Sequence, residues 1–548
     1  MVLKKNDRVV FLGDSITEQQ LYTNYVESYL ATRYPELQLT FFNAGWGGDR
    51  APGGAQRLER DVLSLKPTVV TICYGMNDAA YTRPNPEILK AFTDGMRQLL
   101  KKLKSAKVRV VLLTPGFADE SVNANLKAVD YNRSGLRRLA DAVLALAAKE
   151  KLPAYDIHKL MTEVDARAKK AIPGFTFAPD GFHPSPPGHL VMAFGLLQAL
   201  GVPQLARQIK VDLNKKTVAA PPGIKVKGPK ILEAGIALEL QLDGLPFYVE
   251  PEARKVLPFL PFQETYNDLS LKVEGLKDSS YCFRMEMEKS PAFSPKELAQ
   301  GVNLYSLFGM PALLQAQAIH QFTFEKCQVY FKLWRMLALG GGNAAYSPAP
   351  HKAAIKLLPD LDKTRAKLAA IPPRSITLRL YSSKAKGEPL GNGDFISLWS
   401  LLGSFPKPYA KDYLGGEAKF SASVPEKSSA WALDKDLDIK NPGNNLGQIF
   451  GNLNDCMAYA VTVLDSPITQ SARLLLGSDD GYAVWLNGRQ LEDQLELKRG
   501  LSIDQNTLPI ELKKGKNVLL LKISQDTGSW GFCARLSGLK QDLVADRP

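Results

Sequence analysis

The sequence predicts an α/β protein at its amino-terminal end, built on a parallel sheet between helical layers. A mixed β and helical middle region and a carboxy-terminal β-sandwich are expected to follow. Three observations predict this. From Arg8 to about Asp156, short β-rich runs that are apolar along their whole length alternate with stretches whose apolar residues recur at helical spacing. Between about 205 and 372, alternating runs give way to a long helical text, and beyond Pro373 many short strands are separated by turn signals. The 548 residues allow three or four domains at about 150 residues each. Their expected bounds are 1–204, 205–372 and 373–548.

In chain order, RVVFLG, LTFFNAG, TVVTICYG, RVVLLTP and LPAYDI are the five strands of the first domain. Leu89, Phe92, Met96, Leu99 and Leu103 mark one intervening helix, and Leu136, Leu139, Val143 and Leu146 another. Ligands of such a sheet collect at the carboxyl ends of its strands. Past Gly201, IALELQL, LSLKVEGL and YCFRMEME read as a small antiparallel β unit. SPKELAQ is a capped helix start, and ALLQAQAIHQFTFEKCQVYFKLWRML is one long helix ended by GGGN at Gly340 to Asn343. LNGR at Leu486 to Arg489 and KKGKN at Lys513 to Asn517 suit tight hairpins in the last domain.

Composition narrows the function classes. Hydrophobic residues make up 45% and charged residues 23%, a globular rather than disordered balance. No apolar run reaches the 18 or more residues of a membrane-spanning helix. Sixty-nine basic against 56 acidic residues give a net charge of +13, but the lysines are scattered and no nucleic-acid motif accompanies them. Neither a membrane span nor a nucleic-acid partner is expected. The five cysteines are far apart and form no CxxC pair, which argues against a disulfide framework or a zinc site. Met1 stands only a few residues before the first strand, so export with a signal peptide absent from this chain is the expected localisation.

The chemistry lies at the strand ends. Ser15 follows Gly13-Asp14 at the first strand-to-helix turn, where its backbone N–H opens a helix and favours a developing oxyanion. Ser15-x-x-Glu18 also fits a capping box, the bland reading of the same residues. The second strand ends in NAGWGGDR, whose glycines let the Gly48 N–H approach a ligand. The third ends in YGMND, placing the Asn77 amide at the same edge as a further donor. Of the five histidines, His183 has Asp180 three residues before it, a spacing that brings the carboxylate to Nδ1 and leaves Nε2 for Ser15. His189 opens an apolar helix and reads as structural.

The ordered set Gly13-Asp14-Ser15, Gly48, Gly75-x-Asn77-Asp78 and Asp180-x-x-His183-Pro184 resembles the SGNH (GDSL) hydrolase family over residues 1 to about 204. The resemblance implies a flavodoxin-like three-layer α/β/α sandwich, a catalytic triad of Ser15, His183 and Asp180, and an oxyanion hole of Ser15, Gly48 and Asn77. It implies no cofactor. Met76 departs from the commonest pattern, in which a second glycine is frequent. RLLLGSDDGYAVWLNGRQL in the last domain resembles β-sandwich modules attached to glycan-active enzymes, with Asp479, Asp480, Trp485 and Trp530 as possible sugar contacts and ordinary core as the competing reading. Together these imply an esterase acting on acylated carbohydrate. The alternatives are a lipid or thioester acyl hydrolase with the same triad, a metal-dependent phosphoesterase using Asp14, Asn77, Asp180 and His183, and a scaffold with a vestigial site.

Overall fold

The computed structural model describes residues 1–205, 207–232, 235–285, 288–307, 309–340, 346–383, 387–419 and 442–546. At the amino-terminal end, β1 (Arg8–Gly13), β2 (Thr40–Gly45), β3 (Val69–Cys73), β4 (Arg109–Leu113) and β5 (Ala154–Tyr155) form one sheet in the order β2-β1-β3-β4-β5. Every pair is parallel. The expected strands and their parallel arrangement are therefore present. β1 to β4 are buried nearly throughout, as runs apolar on both faces require.

The helices of this domain are α1 (Ser15–Glu18), α2 (Leu21–Arg33), α3 (Ala51–Asp61), α4 (Pro86–Ser105), α5 (Ala124–Ala128), α6 (Arg137–Glu150), α7 (Ile157–Ala171) and α8 (Pro186–Ala199). One layer packs α2 on α8 and α8 on α7, and the other packs α3 on α4 and α4 on α6. The order is that of flavodoxin-like doubly wound sheets, which place ligands outside the carboxyl ends of the strands.

The middle region differs in part from the expected antiparallel unit, because it contains two sheets and one parallel pair. β6 (Gln208–Asp212) and β7 (Thr217–Ala219) precede β8 (Ile224–Leu232) and β9 (Gly235–Leu242); β10 (Ser270–Glu274), β11 (Tyr281–Met285), β12 (Glu288–Phe293), β13 (Val302–Asn303) and β14 (Ile376–Ser382) follow. The first sheet runs β13-β10-β6-β7 and the second β12-β11-β14-β9-β8. β6 and β10 lie parallel because a long crossover, including α9 (Phe262–Tyr266), separates them. β14 lies beyond the expected 372/373 boundary, yet it pairs with β9 and β11.

SPKELAQ forms α10 (Pro295–Gln300), with the Ser294/Glu297 capping box in place. The long apolar text forms α11 (Pro311–Phe331), which continues into a π-helical turn, Lys332–Ala338. Gly341 to Asn343 of the expected GGGN break lie outside the described residues. α12 (Pro348–Ala369) follows. One hydrophobic core joins the α/β domain to this region, with Phe247, Phe262, Tyr266, Tyr330, Trp334 and Leu358 among its members. Glu27 of α2 meets Lys326 and Arg365 of α11 and α12, and both cations also bind Asp362, at 2.9 and 2.7 Å. All four side chains are buried.

The carboxy-terminal region holds two antiparallel sheets. β15 (Glu388–Leu390), β16 (Ser400–Pro406), β17 (Cys456–Ser466), β19 (Tyr482–Leu486), β20 (Arg489–Gln494), β22 (Gly515–Gln525) and β24 (Leu543–Asp546) form one. β18 (Gln470–Ser478), β21 (Asn506–Leu512) and β23 (Phe532–Ser537) form the other. Leu474, Ile510 and Leu536 of the small sheet share a core with Ala460, Leu521 and Val484 of the large one, which makes a β-sandwich. No helix among the described residues is long and apolar enough to cross a membrane.

Candidate active site

β1 to β3 end level, because Gly13 pairs with Gly45 on one side and Cys73 on the other. The loops that follow therefore start from one plane and are tied together. Trp46 N–H donates to the Gly13 carbonyl at 3.1 Å, and the Asn77 Nδ2 donates to the Asp49 carbonyl at 3.1 Å. Gly45 is required by close approach: a Cβ there would stand 2.2 Å from the backbone nitrogen of Glu18. Gly48 has φ +73°, a conformation that favours glycine. Among the described residues its N–H meets no acceptor.

Ser15 does not cap its helix. Asp14 does, its Oδ1 accepting from the Ile16 N–H at 3.0 Å, which leaves the Ser15 hydroxyl available elsewhere. Ser15 Oγ lies 2.9 Å from His183 Nε2, and His183 Nδ1 lies 2.7 Å from Asp180 Oδ2. Asp180 Oδ1 accepts the backbone N–H groups of Phe182 and His183 at 3.0 and 2.8 Å. Partial burial pushes the Asp180 pKa up, but those N–H groups and the His183 ring outweigh it and hold the carboxyl below its ordinary value. Phe182 meets the His183 ring edge-on at 4.7 Å between centroids. The structure thus brings together Ser15, His183 and Asp180 by contact, and sets Gly48 and Asn77 on the neighbouring loops.

Burial dominates the electrostatics beneath these loops. It raises Asp14 to about 8 against the opposing Ile16 N–H, and Asp78 to about 7 against the Ala51 N–H. Both retain protons far above the ordinary carboxylate range, which limits negative charge below the donor cluster. His189 is fully buried, accepts the Tyr22 N–H at Nδ1 and faces Gln19 with Nε2; burial lowers it to about 3, so it stays neutral, in line with a structural part. Among the described residues no cluster of three or more His, Cys, Asp or Glu is placed to hold a metal.

Further residues join the site. Tyr81 donates to Asn77 Oδ1 at 2.8 Å and stacks on Tyr131 at 5.3 Å. Ala80 and Tyr81 both have positive φ, 59° and 55°, strain of the kind that gathers at functional sites. From the middle region, Arg335 lays its guanidinium 3.7 Å from the centre of the Trp46 ring and donates from Nε to Glu18 at 3.1 Å. Glu18 in turn lies against Gly47. A cavity of about 550 Å³ opens beside Gly48, lined by Asp49, Arg50, Asn85, Glu87 and Ile88 among others.

In the sandwich, Trp485 and Trp530 are buried in apolar clusters, and Asp480 accepts the backbone N–H groups of Arg499 and Asp526. Core packing, the competing reading, describes both tryptophans, since a buried ring has no face for a sugar.

A serine hydroxyl and imidazole in contact at the carboxyl edge of a doubly wound parallel sheet belong to the class of ester-bond hydrolases. Residues 11–191 match the model of the GDSL-like lipase/acylhydrolase family, and the amino-terminal part of the chain is a domain of that family. An acetylxylan esterase of Geobacillus stearothermophilus is 24% identical over 222 residues, covering 37% of this chain and 97% of that protein. An isoamyl acetate-hydrolyzing esterase of Saccharomyces cerevisiae is 25% identical over 211 residues, 35% of this chain and 86% of that protein. A gut microbial diltiazem-metabolizing enzyme of known structure aligns with a TM-score of 0.58 at 23% identity, covering 69% of this chain and 98% of its own. That likeness concerns the fold and extends well past the hydrolase domain.

Proposed function

We propose that the protein is a serine esterase that removes acetyl or other short acyl groups from carbohydrate through a triad of Ser15, His183 and Asp180. The unbroken contact from Ser15 Oγ through the His183 ring to Asp180 carries this reading. Ser15 Oγ attacks the ester carbonyl while His183 Nε2 takes its proton, and Asp180, ionised below the usual range, stabilises the imidazolium at Nδ1. The Ser15 and Gly48 N–H groups and the Asn77 amide hold the tetrahedral oxyanion. The alcohol leaves with the proton from His183, and water, activated by the same ring, releases the acid. The steps draw on no cofactor.

The choice of a carbohydrate over a lipid or thioester rests on a relative, since the cavity beside Gly48 sets Asp49, Arg50, Asp78, Asn85 and Glu87 beside Pro52, Ile88, Ala91 and Phe92 and favours neither. That relative is an acetylxylan esterase.

The test is acetate release from a panel of acetylated polysaccharides, beside short- and long-chain aryl esters, for the wild type and Ser15→Ala. Release from a polymer that Ser15→Ala abolishes is the expected result. Serine-dependent cleavage of long-chain esters alone would move the substrate to the lipid class. Equal activity of the two proteins would overturn the triad. Asn77→Ala should lose about 10²- to 10³-fold in kcat while still folding, with a melting temperature lowered by the loss of its bonds to Asp49 and Tyr81.

A further inference from the structure

Far from Ser15, at the other end of α2, the half-buried Arg33 and the buried Arg207 bring guanidinium nitrogens together with too few acceptors. Arg33 ends that helix, about 20 Å along it from the site. Its Nε, Nη1 and Nη2 are all buried without a hydrogen-bond partner. Arg207, immediately before β6 and 7% exposed, has Nε and Nη1 in the same condition. The two guanidinium groups flank one glycine: a Cβ on Gly244 would stand 2.6 Å from Arg33 Nη1 and 3.8 Å from Arg207 Nη2. The phenol oxygens of Tyr29 and Tyr305, 1% and 7% exposed, are also buried and unpartnered. Both phenols feel the charge of both arginines, and the Tyr29 oxygen lies near enough to Arg33 to interact with it as a weak acceptor. The nearby acids do not balance the cluster. Asp243 binds only Nη2 of Arg207, at 2.9 Å, from a largely exposed position, and of Arg207 the Asp268 carboxylate meets the backbone N–H and not the guanidinium.

Seven buried donor atoms and two like charges, with one ion pair between them, are unstable unless something accepts. We propose that this cluster is a binding site for a small tetrahedral oxyanion of the phosphate or sulfate class, which joins α2 of the hydrolase domain to the middle region. Guanidinium forks match such anions bidentately, and the two phenols supply the remaining donors. Tyr305 also lines a cavity of about 510 Å³ that opens near the exposed Leu314. Nothing in the site depends on the ester chemistry, so the proposal stands apart from the assignment of the triad.

Titration calorimetry of the full chain with inorganic phosphate and with sulfate, against chloride at matched ionic strength, tests it. The expected result is saturable binding of one anion per chain, a melting temperature that rises and saturates with anion concentration, and the same behaviour in Ser15→Ala. Arg33→Met should weaken binding tenfold or more. Tyr305→Phe, which keeps the shape of the core, should weaken it several-fold should Arg33→Met fail to fold. Absence of saturable binding to the wild type, or binding to Tyr305→Phe and Arg33→Met as tight as to the wild type, would overturn the proposal.

Discussion

In the proposed mechanism the Asn77 amide offers its nitrogen to a substrate oxygen, and its orientation is held by the Tyr81 hydroxyl, which donates to Oδ1 at 2.8 Å, and by the Asp49 carbonyl, which accepts from Nδ2. One hydrogen bond is worth about 1–1.5 kcal/mol. Tyr81→Phe should therefore lower kcat about tenfold, with KM little changed, in steady-state kinetics on an aryl acetate. The neighbouring Asp78 makes a pH prediction. Its Oδ2 is buried without a partner, and its pKa is raised to about 7 in the folded protein. The folded state then holds a proton that the unfolded chain has lost. Stability from this group is intact at low pH and falls as pH rises from about 4 through 7, by about 1.4 kcal/mol per unit of raised pKa. Asp78→Asn keeps an oxygen for the Ala51 N–H and removes the charge, so its melting temperature should gain on the wild type progressively between pH 4 and 8. Ser15 and Asn77 could be placed because short motifs at strand ends fix their position locally, whereas Asp180 and His183 lie in the loop between α7 and α8 and were singled out by their own spacing. The Ser15-x-x-Glu18 pattern pointed to a cap, but Asp14 takes the cap and Glu18 turns to Arg335. Tyr81 left no trace in spacing, and Arg335 reads from the sequence as a salt-bridge residue of the long helix, as its pairing with Glu18 shows; only the folded chain brings the two to Asn77 and Trp46.

Among elements, the π-helical turn Lys332–Ala338 has the most direct bearing on the site. π-helical turns recur at functional positions, and this one carries Arg335 onto Trp46, two residues before Gly48. A stacked guanidinium with a charged hydrogen bond is worth roughly 1–2 kcal/mol at a partly buried position. Arg335→Ala should lower kcat about tenfold by loosening the Gly47-Gly48 backbone, and Arg335→Lys, which keeps charge but not the planar stack, should fall between. Wild-type kcat in Arg335→Ala would show that the contact is only structural. β1 to β4 could be read from the sequence because a strand buried on both faces is a continuous apolar run; β5 is a half-buried pair of residues at the sheet edge. The parallel pairing of β6 with β10, and the place of β14 between β9 and β11, could not. Each strand alternates like any half-buried strand, and its partner is chosen by packing at long range.

At the scale of the molecule, the hydrolase domain is not closed on itself. Tyr330, Trp334 and Leu358 complete its core, and the cations that neutralise Glu27 come from α11 and α12. Cutting the chain after Gly201 should yield an aggregating or unfolded fragment, because stripping partners from a buried carboxylate costs about 3–5 kcal/mol before the exposed apolar surface is counted. A soluble, cooperatively melting fragment with the substrate preference of the full chain would contradict this. The sequence distinguished three regions by their texture of strands and helices, but shared cores and buried ion pairs join residues hundreds of positions apart and have no local signature. Glu27 and Lys326 are separated by 299 positions. At about 5–20 residues per second on the ribosome, the acid waits some 15–60 s for its counter-charge. The nascent hydrolase domain must pass that interval incomplete, so the order of synthesis itself makes this a protein whose first third matures after its second.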